Sequence, residues 1–178
     1  CTTVGLCFSL KPLHDKFGID NVIMTSMQAV SGAGRKPGVA AFDVIDNIIP
    51  FIPQEEEKVE IETQKILGNF SDNGIKPAKI KVSSTCTRVN VTDAHTESVL
   101  TILRKKTDVE EIKKTINKFS DDFKYKDLPS APKNILKITE DPYRPQPRLD
   151  RNSENGMTTT IGRIRKDNGF KNAFKYVL

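Results

Sequence analysis

The chain of 178 residues carries the run Asn21-Val22-Ile23-Met24-Thr25-Ser26-Met27-Gln28, and the run is followed closely by Ser31-Gly32-Ala33-Gly34. β-branched and apolar residues are typical of a strand, and glycines permit the positive φ angles of a tight loop. The sequence therefore predicts a strand over residues 21–28 that enters a glycine loop directly after Gln28.

Further elements are predicted on both sides of this strand. Helical periodicity and capping signals predict helices over residues 2–17, over 55–67 and from Asp108 to Phe119. Alternating apolar residues predict strands over residues 80–91, 98–103, 158–165 and 172–178, whereas 124–132 and 141–155 are expected to be irregular. Because strands are separated by unequal gaps, we expect an α+β fold, a mixed, largely antiparallel sheet with helices on one face.

The composition indicates which classes of protein the chain can belong to. The chain is 37% hydrophobic and 29% charged, which is typical of one globular domain with a single core. Its longest apolar stretch, within residues 44–52, is interrupted by Asp46 and Pro50, and a transmembrane protein is therefore excluded. No targeting signal is visible at the N-terminus, so we expect a cytoplasmic location. The three cysteines form no CxxC pair, which argues against a disulfide framework and a metal site.

The charge balance points to a small anionic partner. The net charge is +5, and residues 141–178 hold eight Lys/Arg against four Asp/Glu. Tryptophan is absent, and the basic residues do not cluster with aromatic side chains as they do in nucleic-acid-binding proteins. We therefore expect a small-molecule substrate, with no nucleic acid and no membrane as partner.

Cys1 is the candidate nucleophile, because a cysteine in the first turn of a helix meets backbone N–H groups that stabilise the thiolate. Cys7 and Cys86 are expected to serve packing, and His14 a surface role. His95 lies between two predicted strands, where catalytic groups are often held. Arg88 precedes it by seven residues, an odd separation that places both on one side only if the chain bends between them.

Five segments together resemble one enzyme family. They are Cys1-Thr2-Thr3, the run Ser26-Met27-Gln28-Ala29-Val30-Ser31-Gly32-Ala33-Gly34, the helix residues 55–68, Arg88-Val89-Asn90-Val91-Thr92-Asp93-Ala94-His95-Thr96, and Gly162-Arg163-Ile164-Arg165-Lys166-Asp167. In order and spacing they are similar to the catalytic and dimerisation half of aspartate-semialdehyde dehydrogenase, in its archaeal and fungal branch. The resemblance implies a fold like the catalytic domain of glyceraldehyde-phosphate dehydrogenase and association as a homodimer or homotetramer.

The resemblance also implies a site and a reaction. Cys1 would form a thioester, His95 would handle protons, and Gln28 would orient the intermediate. The substrate would be bound by Arg88 and Glu55, phosphate by Lys58, and NADP in part by Ser31 and Gly32. The reaction would interconvert aspartyl phosphate and aspartate semialdehyde plus phosphate.

Two features of the chain depart from this pattern. The NADP-binding Rossmann half and a closing C-terminal segment are absent from residues 1–178, so we expect a domain excised from a longer polypeptide. Ala94 stands where a glycine is common in the family, so the backbone there should not depend on a conformation reserved for glycine.

Three alternatives stay open from the sequence. A malonyl-CoA reductase of the same fold would use a CoA thioester and a substrate without an amino group. An amidohydrolase would use Cys1 as a processed N-terminal nucleophile. A non-catalytic dimerisation module would leave Arg88 and His95 far apart.

Overall fold

The computed structural model describes residues 1–33, 41–125 and 127–178, and Gly34 of the predicted loop lies outside these ranges. The elements follow in the order α1 Thr2–Phe17, β1 Ile19–Gln28, α2 Ala41–Val44, α3 Glu55–Ile66, β2 Asn69–Ser71, β3 Gly74–Lys76, β4 Lys81–Arg88, β5 Thr96–Leu103, α4 Val109–Asp121, β6 Leu136–Thr139, α5 Pro147–Asp150, β7 Thr159–Lys166 and β8 Ala173–Val177. The three predicted helices and five predicted strands are confirmed, with ends shifted by up to three residues.

Six strands form one sheet in the order β4-β1-β5-β8-β7-β6. Three neighbouring pairs are antiparallel and two, β1 with β4 and β6 with β7, are parallel, which confirms the mixed, largely antiparallel sheet. β4 ends and β5 begins beside the same end of β1, since Arg88 pairs with Gln28 and Thr96 pairs with Met27. This end of β1 is where the functional side chains gather.

Helix α1 packs against both α3 and α4, and all three helices pack against the sheet. Of the apolar residues that predict α1, Val4 is 54% exposed, whereas Leu6, Leu10 and Leu13 are fully inaccessible. Each such side chain contributes roughly 1.5–3 kcal/mol on burial. At the start of α4 the Asp108 carboxylate accepts a hydrogen bond from the Glu111 N–H at 2.8 Å, as the capping pattern predicts.

The opposite face of the central strands carries side chains that are half-buried or exposed. Ile23 of β1 is 45% exposed, and it pairs with Leu100 of β5, which pairs with Lys175 of β8. Successive residues of a strand point to opposite faces, so these side chains alternate with core residues such as Val99. We call the surface formed by Ile23, Leu100 and Ile102 the open face of the sheet.

Several elements were not predicted from the sequence. Strands β2 and β3 form a separate hairpin, β6 extends the sheet at its far edge, and α5 lies within the supposedly irregular residues 141–155. Each is three or four residues long, too short to show a hydrophobic period. None of the helices in the described part of the chain has the length and apolar character of a membrane span.

Candidate active site

The segment between β4 and β5 wraps round the end of β1. Val89 donates its N–H to the Gln28 carbonyl at 3.0 Å, and Val30 donates its N–H to the Val91 carbonyl at 2.9 Å. The bend that Arg88 and His95 require is present, because Ala94 has a φ of 71°. This left-handed conformation favours glycine, so the expectation drawn from Ala94 is wrong: an alanine occupies it at a cost of about 1–2 kcal/mol.

The main chain of Ala29 joins the two predicted side chains. Its N–H donates a hydrogen bond to Nδ1 of His95 at 3.0 Å, and its carbonyl accepts one from Nη1 of Arg88 at 2.8 Å. Ala29 is fully buried directly after Gln28, so both side chains are anchored to the buried main chain at the end of β1. The structure therefore brings Arg88, His95 and Gln28 together.

His95 is held in a partly desolvated position. Burial lowers the pKa of its imidazole below the ordinary value of 6.5, and the positive charge of Arg88 acts in the same direction, while Glu55 opposes both. The neutral ring is therefore the stable form at neutral pH. A main-chain N–H can only donate, so Nδ1 accepts from Ala29 and the ring proton of neutral His95 resides on Nε2.

Glu55 brings a carboxylate to this cluster from the first turn of α3. Its Oε1 accepts a hydrogen bond from Nε2 of Gln28 at 3.3 Å, and the same amide donates to Oγ of Ser26 at 3.2 Å. Burial lowers the pKa of the Arg88 guanidinium, and the negative charge of Glu55 opposes this change. Gln28 and Arg88 are only 4% and 7% exposed, so the surrounding residues hold both side chains in place.

Cys1 lies at the start of α1, as predicted, and its residue is exposed. It lines a pocket of about 420 Å³ together with His95. Residues 145–147, 150–151, 156 and 158–160, among them both ends of α5, also line this pocket. The thiol and the imidazole thus face one cavity, which excludes an arrangement in which they lie on opposite sides of the sheet.

The other cysteines are buried, as predicted for packing residues. Burial raises the pKa of the Cys7 thiol to about 11, and it raises the pKa of Cys86 as well. Both thiols are therefore inert at neutral pH. His14 is half-buried rather than at the surface, and burial lowers its pKa.

Comparison with known proteins identifies the family. The family described as semialdehyde dehydrogenase, dimerisation domain, matches residues 10–178. The chain belongs to this family. The resemblance inferred from the sequence motifs is thereby confirmed.

Relatives of this dimerisation domain are considerably longer proteins. The aspartate-semialdehyde dehydrogenases of Methanothermobacter thermautotrophicus and Archaeoglobus fulgidus are 42% and 48% identical over 178 residues, which are 100% of this chain but 51% and 50% of theirs. The crystal structure of aspartate semialdehyde dehydrogenase with NADP from Candida albicans has a TM-score of 0.87 and 40% identity, covering 99% of this chain and 50% of that one. The chain spans about half the length of the relatives that it matches.

Of the other predicted site residues, Gly32 lies close to Arg88 and His95, whereas Ser31 and Lys58 are exposed. Gly32 lies in the turn after β1, and a Cβ atom there would stand 3.6 Å from Nη1 of Arg88 and 3.7 Å from Nε2 of His95. Ser31 is exposed beside it. Lys58 is exposed one turn along α3 from Glu55, and no hydrogen bond or ion pair within the described residues joins its ammonium group to the site.

One residue of the pocket was missed by sequence reasoning. Glu97, the second residue of β5, lines the pocket with Cys1 but is only 1% exposed, and its Oε2 has no hydrogen-bond partner among the described residues. Burial raises the pKa of this carboxyl group well above its ordinary value. In the sequence it lies between Thr96 and Ser98, just before the predicted strand 98–103, and nothing there distinguishes it from a surface glutamate.

Proposed function

We propose that the chain is the catalytic half of a longer NADP-dependent aspartate-semialdehyde dehydrogenase, which interconverts aspartyl phosphate and aspartate semialdehyde plus phosphate through a cysteine thioester. The observation that carries this proposal is the pair of hydrogen bonds that join the Ala29 main chain to Arg88 and to His95, beside a pocket lined by Cys1 and His95. Family membership supports the proposal, since relatives over the whole of this chain bear that name.

Substrate recognition would use charges of both signs. Nη1 of Arg88 donates a hydrogen bond to the Ala29 carbonyl, and the other guanidinium N–H groups would bind the substrate carboxylate. Glu55 would accept a hydrogen bond from the substrate ammonium group. A malonyl substrate has no ammonium group, so the half-buried carboxylate of Glu55 beside Gln28 favours the aspartyl substrate.

Cys1 would attack the aldehyde carbon as a thiolate, stabilised by the first turn of α1. Oxidation of this adduct to the thioester needs a hydride acceptor, and this is the chemistry that NADP would supply when bound. Gly32 would hold part of NADP, because this turn lies within contact distance of Arg88 and His95. Phosphate, drawn by the ammonium of Lys58, would then displace Cys1 and leave aspartyl phosphate.

The activity is tested with the full-length protein that contains this chain. We expect phosphate-dependent reduction of NADP with aspartate semialdehyde, and no reaction between NADPH and malonyl-CoA. Turnover of malonyl-CoA in place of aspartate semialdehyde would reject the proposed substrate. A full-length protein inactive on both would favour the non-catalytic dimerisation module.

We further propose that the chain associates as a homodimer through the open face of the sheet. Ile23 is an apolar side chain half in solvent at the centre of that face, and the family is described as a dimerisation domain. We expect Ile23→Glu to shift the full-length protein toward monomer in analytical ultracentrifugation, because a charge buried in an interface is costly. Phe70→Glu, a change at an 85% exposed position of the β2–β3 hairpin, is the control and should leave the mass unchanged.

A further inference from the structure

One buried carboxylate holds in place the residues around α5 that line the Cys1 pocket. Asp150 is 8% exposed and accepts hydrogen bonds from Nε and Nη2 of Arg144 at 2.8 and 2.5 Å, and from the main-chain N–H of Gln146 at 2.7 Å. The hydrogen bonds from Arg144 lower the pKa of Asp150, so its carboxylate is ionised at neutral pH. The charges of Asp150 and Arg144 therefore compensate each other.

Arg151 follows Asp150 at the end of α5 and lines the same pocket as Cys1. Its main-chain N–H donates a hydrogen bond to the Pro147 carbonyl at 3.1 Å, which fixes the point where the side chain starts. The residue is half-buried, and no hydrogen bond or ion pair joins its guanidinium to any other group of residues 1–33, 41–125 and 127–178. Arg151 thus brings to the pocket a positive charge that no described residue neutralises.

The other titratable side chains of the pocket leave this charge uncompensated. Glu97 is only 1% exposed, and burial raises the pKa of its carboxyl group well above the ordinary value, which favours the uncharged acid. Burial lowers the pKa of His95, which favours the neutral imidazole. Since Asp150 is matched by Arg144, the described side chains around Cys1 carry one net positive charge, that of Arg151.

The cations already assigned to the substrate lie elsewhere. Arg88 is bonded to the Ala29 carbonyl at the end of β1, and Lys58 is exposed on α3. Neither of these two residues lines the pocket that Cys1 and Arg151 share. The cavity that holds the Cys1 thiol therefore has Arg151 as its source of positive charge among the described side chains.

We propose that Arg151 is an anion-binding residue of the Cys1 pocket and that its ligand is phosphate. The proposal rests on the proposed dehydrogenase function, which supplies phosphate as a substrate and a thioester at Cys1 as its target. A guanidinium group binds two oxygens of one phosphate side by side, through parallel N–H donors. Lys58 would attract phosphate from solvent, and Arg151 would hold it in the cavity that contains the thioester.

Phosphate held at Arg151 would complete the reaction by displacing sulfur. An electron pair of one phosphate oxygen forms the new C–O bond, and the pair of the C–S bond leaves with sulfur as the Cys1 thiolate. The hydrogen phosphate keeps its own proton, so charge is conserved and the product is aspartyl phosphate. The guanidinium stays beside the negative charge throughout this exchange, which is the arrangement that stabilises such transition states.

The first test measures the charge near Cys1 without any substrate. The full-length protein is alkylated at low ionic strength with iodoacetate, an anion, or with neutral iodoacetamide, and the Cys1 peptide is followed by mass spectrometry. We expect Arg151→Gln to lower the ratio of the two rate constants, iodoacetate to iodoacetamide, by at least about threefold, because the anion loses an attracting charge. A smaller decrease would overturn the proposal. Arg148→Gln, exposed on the same helix and outside the pocket, is the matched control and should keep the wild-type ratio.

Arg151→Lys separates the charge from the planar shape of the guanidinium. We expect this variant to keep the alkylation ratio within about twofold of wild type, because its side chain is still a cation. A ratio as low as that of Arg151→Gln would show that the charge is not what matters, and would contradict the proposal.

The second test identifies the anion. Inorganic phosphate should protect Cys1 from iodoacetamide, with chloride at equal ionic strength as the control, and we expect the half-protecting concentration to rise at least about tenfold in Arg151→Gln. In turnover assays KM for phosphate should rise by the same factor, while KM for aspartate semialdehyde stays within about threefold of wild type. A larger effect on the KM for aspartate semialdehyde would overturn phosphate as the ligand. A protein that passes both alkylation experiments without turning over aspartate semialdehyde would support the anion site and reject only the dehydrogenase function.

Discussion

One side of the site consists of His95, which lines the pocket, and the neighbouring Arg88, and both are tied by hydrogen bonds to the Ala29 main chain. On the other side, Cys1 lines the pocket without a side-chain hydrogen bond to its helix. The first side depends on directional contacts to a buried strand end. The second side depends on the packing of α1 over the sheet and on the field of the helix end. Changes on the first side should therefore alter substrate binding, and changes on the second should alter reactivity or stability.

The largest difference between the two sides should appear when the Cys1 thiol is removed. We expect Cys1→Ala in the full-length protein to lower turnover by at least about 1,000-fold, because no other described cysteine reaches the pocket. Since Cys1 is exposed, the variant should unfold at the same midpoint temperature as wild type. Steady-state assays and thermal melts measure the two effects, and residual turnover near wild type would contradict the assignment of the nucleophile.

A smaller effect is expected on the hydrogen-bonded side. Arg88→Lys removes the planar fork and its bond to Ala29, so we expect KM for aspartate semialdehyde to rise by about 10- to 100-fold. Arg104→Lys, at an exposed ion pair with Asp20, is the matched control and should leave KM unchanged. An Arg88→Lys enzyme with the KM of wild type would show that Arg88 does not bind the carboxylate.

On the side of the pocket that holds Cys1, a change at Glu97 should alter the free energy of unfolding. The folded protein keeps the Glu97 proton at pH values where the unfolded chain has lost it, so the free energy of unfolding falls as the pH rises above the ordinary value of 4.5. Glu97→Gln lacks this loss. We compare the free energy of unfolding of Glu97→Gln with that of wild type, measured by urea denaturation at pH 4 and at pH 7. The difference in favour of the variant should be larger at pH 7 by on the order of 1 kcal/mol. Glu57→Gln, at an exposed position, is the matched control for the loss of a carboxylate.

The smallest expected effect concerns the bend between Arg88 and His95. Ala94→Gly relieves the left-handed strain at a φ of 71°, and we expect stabilisation by about 0.5–1 kcal/mol in denaturation experiments. Ala131→Gly, at a half-buried alanine without a positive φ, should destabilise instead. Equal destabilisation by both changes would show that the bend carries no strain.

Sequence reasoning predicted the long elements and missed the short ones for a physical reason. Helix α1 and strands β1 and β5 are long enough to show periodic burial, whereas β6 and α5 have four residues each and owe their form to neighbours. Glu97 was missed because nothing local reveals that its strand position faces α1 beside the pocket.

The amino-acid sequence by itself determined the α+β class, the helix that begins after Cys1, the strand that ends at Gln28 and the family resemblance, because these depend on local periodicity and motif spacing. Only the tertiary structure decided that the residues after β4 wrap round the end of β1, so that the Ala29 peptide holds both Arg88 and His95. It also decided that Lys58 points to solvent and that Glu97 is buried. Hydrogen bonds between residues some 60 positions apart depend on strand register, and register is set by the packing of the whole sheet.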